Sequence, residues 1–331
     1  MIVAEIASLK IPPTQSPRPA VSVIIPAYNV SEYIGEALNS VFDQTYTSHE
    51  AIVINDGSPD TEELERVLEP HAARIRYIKQ ENRGAAAARN TGLRSARGEF
   101  VAFLDADDTW SPAFLEQQME LLESCNADVV YADALLFGES PLAGRTFMEV
   151  QPSRGEVTPE SLLAVEVTVI TSAVVARKEA VFAVGLFDEG IKRGHDFDLW
   201  LRLAKNGARF AYQEKVLAQH RIVESGLSGD TISQLKRTLS VLETIRTKEK
   251  LTDSEEAAFR VNLNRTLAEL ALENGKEKLR SRDFDGALQH FTEARNLRQG
   301  WKLVLVCFGL RVAPETFRRI YLRRNGASKV S

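Results

Sequence analysis

Short apolar runs alternate with amphipathic stretches through the first hundred residues of the chain. Residues 21–25 (VSVII), 51–54 and 100–104 are apolar almost throughout, as in strands buried on both faces of a sheet. Residues 74–79 form a further run of strand length. Between these runs, apolar side chains recur at helical spacing. The order βαβαβαβ predicts a mostly parallel sheet with helices on both faces.

Local residue signals predict where several helices begin. Ser31 is a candidate N-cap for the first helix, and Asp60 with Glu63 fits a capping box for the second. Gly84 opens an alanine-rich helix over residues 85–95.

Three polar loops follow strands of this predicted sheet: PAYN at 26–29, NDGS at 55–58 and DADD at 105–108. The carboxyl ends of parallel strands lie at one edge of a sheet, so these loops are expected to converge on one crevice. The last loop has three carboxylates within four residues, and these repel each other unless a cation is present. Mg²⁺ and Mn²⁺ prefer such oxygen ligands. The alternative is a solvated acidic turn that leads into the helix near Ser111.

A sugar nucleotide fits a crevice of this composition. Asp56 can accept hydrogen bonds from a base N–H or a ribose hydroxyl, and a cation at the acidic loop can bridge a diphosphate. Free N–H groups after Gly84, with Arg83 and Arg89 nearby, favour an anion. The patterns GxGxxG and GxxxxGK[ST] are absent after the first strand, which argues against a dinucleotide site and a P-loop ATPase.

Four blocks of the chain, taken together, resemble a family 2 glycosyltransferase with the GT-A fold. They are VSVIIPAYNVSEYIGEALNSVFDQTY, VINDGSPD, ENRGAAAARNTGL and GEFVAFLDADDTW, in that family's order and spacing, and the resemblance covers about residues 21–228. It implies inverting transfer from a nucleotide-diphospho-sugar, with a UDP-sugar as the first candidate, aided by Mn²⁺ or Mg²⁺. The implied fold class is α/β, a mostly parallel mixed sheet flanked by helices, followed by an all-α C-terminal extension.

The resemblance also assigns roles within the crevice. Asp56 and the backbone of residues 26–28 are expected to contact the nucleoside, and Asp105 is expected to lie near the ribose. Asp107, together with Asp108, is the expected metal site. The donor-binding candidates are Pro26, Ala27, Tyr28, Asn29, Asp56, Gly84, Arg89 and Asp105.

A further block of the family, an acidic pair before an apolar helix, supplies the general base. GHDFDLWLRL at 194–203 matches this block, and Asp196 matches the base. One carboxylate near the acceptor hydroxyl is needed to take its proton as the new bond forms at C1 of the sugar. The alternative is that Asp196 only caps its helix. Asp198 and Arg202 are spaced i, i+4 and are expected to form an ion pair.

Two positions depart from the family pattern. His195 stands where the family often has Glu, next to the expected base. HRIV at 220–223 stands where the family often reads Tyr-Arg-x-His, so Val223 replaces a candidate metal ligand. His195 and His220 are therefore candidate accessory residues.

The middle of the chain, residues 132–191, is expected to determine acceptor specificity. Members of the resembled family vary in this segment, and the sequence names no acceptor. Thr158 before Pro159 indicates a helix start, and residues 167–175 have the composition of a strand.

After about residue 230 the apolar pattern is helical throughout. Residues 232–248, 255–279 and 284–297 show 3.6-residue spacing. Four offsets of a tetratricopeptide repeat are matched by Gly275, Ala287, Phe291 and Ala294. One repeat-like hairpin is expected rather than an array, because a free-standing array needs at least about three repeats. A helical extension packed on the catalytic domain is the preferred interpretation, and protein binding is the second.

The C-terminal stretch combines apolar and basic residues. Residues 303–310 (LVLVCFGL) are apolar, and residues 301–324 contain six basic residues and one acidic residue, a net charge of +5 in a chain of −5. Such a segment resembles an interfacial membrane anchor, and a buried terminal helix with solvated arginines is the alternative. The net negative charge of the chain gives no support for nucleic-acid binding.

Composition is ordinary for a soluble globular protein, with 44% hydrophobic and 26% charged residues among 331. Two cysteines, the lack of a signal-peptide pattern and the lack of a run of about 18 apolar residues predict a cytoplasmic protein. It would be peripheral at the inner face of the membrane if its C-terminus binds there. The expected parts are an extended leader (1–20), a catalytic domain (21–230) and a helical extension (231–331).

The sequence thus predicts a glycosyltransferase that acts on a saccharide or lipid-linked acceptor in the synthesis of cell-surface polysaccharide or glycoconjugate. One rival is a non-catalytic nucleotide-sugar-binding or scaffold protein that acts through its C-terminal helices. A second is a nucleotidyltransferase, although the Gly-rich basic loop expected after its first strand is missing.

Overall fold

A computed structural model describes residues 18–151, 153–222, 231–298 and 300–326 of the chain. The expected leader up to residue 17 and Val223 lie outside the described residues. The strands are β1 (Val21–Ala27), β2 (His49–Asp56), β3 (Ile75–Gln80), β4 (Phe100–Phe103), β5 (Thr109–Trp110), β6 (Val129–Gly138), β7 (Val174–Arg177) and β8 (Phe210–Ile222). The helices before residue 210 are α1 (Ile34–Phe42), α2 (Thr61–Leu68), α3 (Ala85–Ser95), α4 (Phe114–Ser124), α5 (Phe147–Val150), α6 (Pro159–Leu163), α7 (Lys178–Ala183) and α8 (His195–Lys205). The helices after residue 230 are α9 (Thr231–Lys248), α10 (Asp253–Arg280), α11 (Phe284–Leu297), α12 (Trp301–Val312) and α13 (Pro314–Gly326).

The strands in the described part of the chain form a mixed sheet in the order β3-β2-β1-β4-β7-β6-β8-β5. β3, β2, β1 and β4 are parallel neighbours, as the alternating pattern predicted. β7 runs antiparallel to β4 and β6, and β8 runs parallel to β6 and antiparallel to β5. The predicted helix starts at Gly84 and Thr158 are confirmed, because these residues are the N-caps of α3 and α6.

Side chains on both faces of the central strands are buried, which explains their unbroken apolar runs. On one face, Val21, Val23 and Ile25 of β1 pack with α1, α2 and α4. On the other face, Ile24 of β1 packs with α3 and α8. Full burial of an aliphatic side chain contributes about 1.5–3 kcal/mol. These two helical layers therefore hold the strands, and with them the loops at the strands' carboxyl ends.

The predicted cap of α1 by Ser31 and the capping box of Asp60 with Glu63 are wrong. Tyr33 is the N-cap of α1. Asp60 is the N-cap of α2, as predicted, but its side chain makes no capping bond. The Asp60 carboxylate instead accepts hydrogen bonds from the Ser31 backbone N–H (2.9 Å) and from the Ser58 hydroxyl. It therefore links the loop after β1 to the loop after β2, a contact between distant segments that a local pattern does not reveal.

The strand predicted over residues 167–175 is wrong in its extent. β7 begins at Val174, and Thr171–Ala173 form a turn of 3-10 helix. The turn brings the Ser172 hydroxyl to the backbone N–H of Asp105, which donates to it over 3.0 Å. Apolar residues before the turn are buried with α3 and α8, so their composition imitates that of a strand.

The predicted helical character of the C-terminal region is confirmed, and this region packs on α6 and α8 through a small apolar cluster. The cluster consists of Leu163, Leu201, Leu242, Ile245 and Phe259. α10 and α11 pack closely, since a Cβ atom added at Gly275 would lie 3.1 Å from the Phe291 ring. The glycine at position 275 therefore allows α10 and α11 to pack as the repeat-like hairpin that the sequence predicted.

Helix α12 has one packed apolar face and one exposed apolar face. Cys307 and Leu310 are buried in a cluster with residues of α10 and α11. The apolar side chains on the other face, which are 49–70% exposed, are Trp301, Val304, Leu305, Phe308 and Val312. The described helices all fall short of the combined length and hydrophobicity that spanning a membrane requires.

Candidate active site

A cleft of about 930 Å³ opens at the carboxyl ends of β1, β2 and β4. Ten of the residues predicted from the sequence line it: Pro26, Ala27, Tyr28, Asp56, Gly84, Arg89, Asp105, Asp107, His195 and Asp196. Asn29, Asp108 and His220 are not among the described residues that line the cleft. The structure therefore brings the three polar loops and the start of α8 together around one space.

Asp56, at the end of β2, holds the start of α3 in place. Its carboxylate accepts hydrogen bonds from the Gln80 side-chain amide (2.7 Å) and from the backbone N–H groups of Arg83 (2.9 Å) and Gly84 (2.7 Å). Only 3% of Asp56 is exposed. The acid thus fixes the loop that leads into α3, besides forming part of the cleft wall.

Arg89, on the buried side of α3, connects β4 to α8. One guanidinium nitrogen donates to the Asp105 carboxylate, and another donates to Nε2 of His195 over 2.7 Å. Burial by itself raises the pKa of Asp105, but the Arg89 charge outweighs it and holds this pKa below its usual value. Burial, followed by the same Arg89 charge, lowers the pKa of His195. His195 is therefore neutral, with its Nε2 occupied as an acceptor.

Asp107 lies in the cleft close to two other carboxylates. Burial, followed by the charges of Asp108 and Asp105, raises the pKa of Asp107 to about 6. Its carboxylate is therefore costly to ionise unless a cation approaches it.

Asp108 lies behind the cleft and is fully buried. One of its oxygens accepts the backbone N–H of Arg221 (2.8 Å), and the other contacts Nδ1 of His220 (3.0 Å). Burial alone would lower the pKa of His220, but the hydrogen bond and charge of Asp108 raise it to about 9. His220 is thus an imidazolium in this arrangement, and Asp108 ties β8 to the acidic loop.

The acidic loop fits a divalent cation that takes part of its ligands from elsewhere. In the described ranges, His, Cys, Asp and Glu side chains do not meet in groups of three or more that fit a metal ion. The raised pKa of Asp107 nonetheless marks a site where a cation would relieve repulsion. Mg²⁺ commonly binds through one or two carboxylates with phosphate oxygens and water, which suits this donor set.

Asp196 lies in the first turn of α8, where two groups orient its carboxylate. One oxygen accepts the backbone N–H of Phe197 (2.9 Å), and the other accepts the Thr171 hydroxyl (3.2 Å). The N-cap of α8 is Gly194, whose φ is +73°. A Cβ atom at Gly194 would lie 2.7 Å from Val241 of α9, so only glycine allows this approach. Asp196 is consequently not the N-cap, and its carboxylate lines the cleft.

The predicted ion pair of Asp198 with Arg202 is confirmed. The guanidinium donates to the Asp198 carboxylate over 2.6 Å and also to the backbone carbonyls of Val184 and Leu186. Asp198 is buried within α8. The pair therefore fixes the turn after α7 against α8 and keeps the first turn of α8 in position.

Breaking this ion pair is expected to destabilise the protein. Asp198→Ala leaves the Arg202 charge without its carboxylate, and loss of one partner of a buried pair costs about 3 kcal/mol or more. Urea unfolding should therefore show a lower midpoint, whereas the exposed Asp285→Ala should leave it nearly unchanged. An unaltered midpoint in Asp198→Ala would mean that the pair does not stabilise this region.

Comparison with known proteins identifies the family. Residues 22–178 match the profile described as Glycosyl transferase family 2. A protein of Rickettsia prowazekii called an uncharacterized glycosyltransferase is 32% identical over 221 residues, which cover 66% of this chain and 69% of that protein. The chain belongs to glycosyl transferase family 2. It is a glycosyltransferase, so the non-catalytic alternative loses its support.

Two family 2 relatives carry more specific names. The putative teichuronic acid biosynthesis glycosyltransferase TuaG of Bacillus subtilis is 31% identical over 234 residues, covering 69% of this chain and 89% of TuaG. WfgD of Escherichia coli, named UDP-Glc:alpha-D-GlcNAc-diphosphoundecaprenol beta-1,3-glucosyltransferase, is 31% identical over 224 residues, covering 67% and 85%. Other relatives are longer, and the chain spans 34% of two Rickettsia proteins.

Solved structures confirm the fold of this glycosyltransferase. S. aureus TarS, in complex with UDP-GlcNAc, has a TM-score of 0.60 at 18% identity, and the match covers 92% of both chains. The mannosyltransferase PcManGT of Pyrobaculum calidifontis, in complex with GDP-Man and Mn²⁺, has a TM-score of 0.61 at 21% identity and covers 92% and 83%. The predicted class, GT-A with a helical C-terminal region, is therefore correct.

The glycosyltransferase cleft also contains cationic residues that the sequence did not single out. Lys192, Arg193 and Arg237 line it together with Arg89. Lys192 and Arg193 directly precede the block that matches the family's acidic pair, and that position is a signal that could have identified them. Arg237 lies on α9, and its placement depends on how α9 packs over α8, which no local pattern reveals.

Proposed function

We propose that this glycosyltransferase transfers a sugar from a nucleotide-diphospho-sugar to a hydroxyl group of a saccharide or lipid-linked acceptor, with inversion at C1. A UDP-sugar is the first candidate for the donor. The observation that carries the proposal is the single cleft in which Asp107, Arg89 and Asp196 face one space. The names of TuaG and WfgD support a role in cell-surface polysaccharide or glycoconjugate synthesis.

The donor is assigned to the part of the cleft beside β1, β2 and α3. Pro26, Ala27 and the exposed Tyr28 form the nucleoside wall, with Asp56 and Gly84 opposite them. Four cationic side chains line the cleft beside four carboxylates and are the groups assigned to the diphosphate: Arg89, Lys192, Arg193 and Arg237. UDP-GlcNAc in TarS and GDP-Man in PcManGT are donors of this class.

Asp107 is the residue assigned to hold Mn²⁺ or Mg²⁺. Such an ion would neutralise the negative charge on the departing nucleotide diphosphate. Both oxygens of Asp108 contact Arg221 or His220, so Asp108 is assigned chiefly to positioning the acidic loop. Mn²⁺ in PcManGT supports a divalent ion in this fold.

Asp196 is assigned as the general base. Its two oxygens are oriented by Phe197 and Thr171, and each keeps a free lone pair for the proton of the acceptor hydroxyl. The rival carboxylate, Asp198, is buried in its ion pair with Arg202. The rival imidazole, His195, already accepts a hydrogen bond from Arg89, and it is assigned to orienting that guanidinium.

A nucleotide-sugar screen tests this function. The thermal midpoint is measured with each of several UDP- and GDP-sugars in large excess over the protein, in Mn²⁺ and in EDTA. A ligand at about 100 times its dissociation constant stabilises by about 2.7 kcal/mol, which raises the midpoint of a 331-residue chain by about 4 °C. At least one donor is expected to give this shift in Mn²⁺ and a much smaller one in EDTA. If all donors fail in both conditions, the proposed function is wrong.

The exposed face of α12 is assigned to the anionic inner surface of the membrane. Trp301, Val304, Leu305 and Phe308 recur at i, i+3, i+4 and i+7, so they project from one side of the helix. Contiguous exposed apolar side chains of this kind mark membrane or protein contacts. Exposed Lys302 and Arg311 lie on the same helix. This arrangement supports a peripheral, cytoplasmic enzyme that meets lipid-linked acceptors.

Vesicle co-sedimentation tests this surface. The full-length protein is expected to bind anionic vesicles at low salt and less at high salt, because each basic residue contributes roughly 1 kcal/mol and salt screens it. The double variant Trp301→Ser/Phe308→Ser should lose most binding, since both side chains are exposed and their removal leaves the core intact. Val261→Ser, an equally exposed apolar site on α10, should bind normally. Equal binding by all three proteins would refute the assignment.

A further inference from the structure

A second cavity, of about 610 Å³, lies next to the cleft, where α8 meets α9 and α10. Asp196 lines both cavities, as do Gln234 and Thr238 of α9. The carboxylate assigned as the base therefore stands at the boundary between the two spaces. Much of the second cavity is built from residues beyond the segment 22–178 that matches the family.

The walls of this second cavity differ in chemistry. One wall is apolar and aromatic, with Leu162, Val167, Phe197 and Trp200. The opposite wall is polar and comes from one face of α10, at i, i+3, i+4 and i+7: Asn262, Arg265, Thr266 and Glu269. A helix that only packs against a protein usually faces it with apolar side chains. Polar side chains on this face of α10 therefore indicate a role other than packing.

Two residues of the polar stripe are buried, whereas Glu269 is half-buried and Arg265 is exposed at the rim. Asn262 is 2% exposed and Thr266 is 3% exposed. Asn262 Oδ1 accepts hydrogen bonds from the Thr266 hydroxyl (3.3 Å) and from Arg265 (3.2 Å), so the amide is oriented within the wall. Burying these two polar side chains is unfavourable unless their remaining hydrogen-bonding capacity is used.

Two further polar atoms at this cavity are buried without a protein partner in the described part of the chain. They are Nε1 of Trp200, a side chain almost completely buried, and Oγ1 of Thr168. Buried donors of this kind are rare in folded proteins, because each loses its bonds to water. A ligand that brings hydroxyl groups would satisfy them.

The charges of the two cavities indicate different ligands. The cleft has four Lys or Arg side chains, which can bind a diphosphate, beside four carboxylates, one of which, Asp107, is assigned to a divalent cation. Among the described residues that line the second cavity, Arg265 is the cationic one, and Asp196 and Glu269 are acidic. This balance disfavours a phosphate group and favours a neutral molecule with many hydroxyls and apolar ring faces.

We propose that the second cavity binds the neutral sugar residue of the acceptor, with α10 of the helical region as its polar wall. The inference rests on the proposed function, since it places the acceptor beside the base. In the reaction, the acceptor hydroxyl loses its proton to the Asp196 carboxylate as its oxygen bonds to C1 of the donor sugar. The bond from C1 to the diphosphate oxygen breaks, and its electron pair leaves with the nucleotide diphosphate. The α10 residues act by positioning the acceptor sugar.

Saturation-transfer difference NMR on the full-length protein tests the site. The probes are the methyl glycosides of glucose, galactose, mannose and N-acetylglucosamine, each with and without saturating UDP and Mn²⁺. The variant Arg265→Ala/Glu269→Ala removes two polar side chains of the cavity. The control Arg260→Ala/Glu273→Ala removes the same two residue types elsewhere on the same helix, where they pair with Glu256 and Lys276.

At least one glycoside is expected to bind the wild type and the control. Its affinity should fall about tenfold or more in the α10 variant, the effect of losing a charged hydrogen bond, while UDP binding is unchanged. Glycoside binding that fails only in the α10 variant supports the site even if every nucleotide sugar fails to bind, which separates this inference from the proposed function. If the protein binds UDP but none of the glycosides, or if both variants behave alike, the inference is overturned. Binding of an alkyl chain in place of glycosides would also overturn it.

Discussion

Replacing Asp196 with asparagine is expected to lower kcat by about 10²–10⁴-fold, the usual effect of losing a general base. The amide keeps the size of the side chain and retains an oxygen that can accept the hydrogen bond of Phe197 or Thr171. It cannot take a proton from the acceptor hydroxyl. Donor affinity, measured by calorimetry with UDP and Mn²⁺, should remain near that of the wild type, because the base acts on the acceptor.

A matched control is available on another helix. Asp285 lies in the first turn of α11 and is exposed, so Asp285→Asn removes a carboxylate from an equivalent helix position. Both substitutions are expected to cost about 0.3–1 kcal/mol of helix-dipole stabilisation, and only Asp196→Asn should affect kcat. Normal turnover by Asp196→Asn would assign the base to another residue, with Asp198 and His195 the nearest candidates.

Replacing Asp107 with asparagine is expected to abolish most Mn²⁺-dependent donor affinity while the protein stays folded. The carboxylate faces the cleft beside Asp105 and Asp108, and a neutral amide is a weaker ligand for a hard divalent cation. Calorimetric titration with UDP should show a strong difference between Mn²⁺ and EDTA in the wild type and little difference in the variant. Asp43→Asn, an exposed acid after α1, serves as the control. A donor affinity that is unchanged by EDTA and by Asp107→Asn would contradict the metal assignment.

The same substitution is expected to stabilise the protein when no metal is present. The pKa of Asp107 in the folded protein is about 6, above its usual value, so folding favours the protonated form. Stability contributed by this proton is present at low pH and is lost as pH rises through about 6. In EDTA at about pH 7.5, Asp107→Asn should therefore melt at a higher temperature than the wild type, and at about pH 4 the difference should vanish. A lower midpoint in the variant at pH 7.5 would show that Asp107 is not under repulsion.

Much of the fold could be predicted from the sequence, because local pattern and burial agree there. Side chains of β1, β2 and β4 are buried on both faces of the sheet. Strands in such positions need an unbroken apolar run, and this run is what the sequence shows. α3 and α11 have the predicted bounds, since Gly84 and Asp283 cap them. The meeting of the three polar loops followed from the parallel order of the strands.

Contacts between distant segments could not be predicted. Arg89 reaches His195 and Asp108 reaches His220, each across more than a hundred residues. The Asp60 carboxylate likewise accepts the backbone N–H of Ser31, 29 residues away, instead of an N–H group of its own helix α2. The placement of α9 and α10 beside Asp196 depends on a packing cluster of five apolar residues. The periodicity of one sequence predicts that these helices form, but it does not predict which elements they pack against.

The configuration of the first product tests the assigned mechanism most directly. An α-linked nucleotide sugar chosen by the thermal screen is mixed with the enzyme and Mn²⁺, and ¹H NMR reads the anomeric signal of the released or transferred sugar before mutarotation. A single displacement assisted by Asp196 predicts the β-anomer from the wild type and almost no product from Asp196→Asn. An α-anomer formed first, at an equal rate in both proteins, would contradict it.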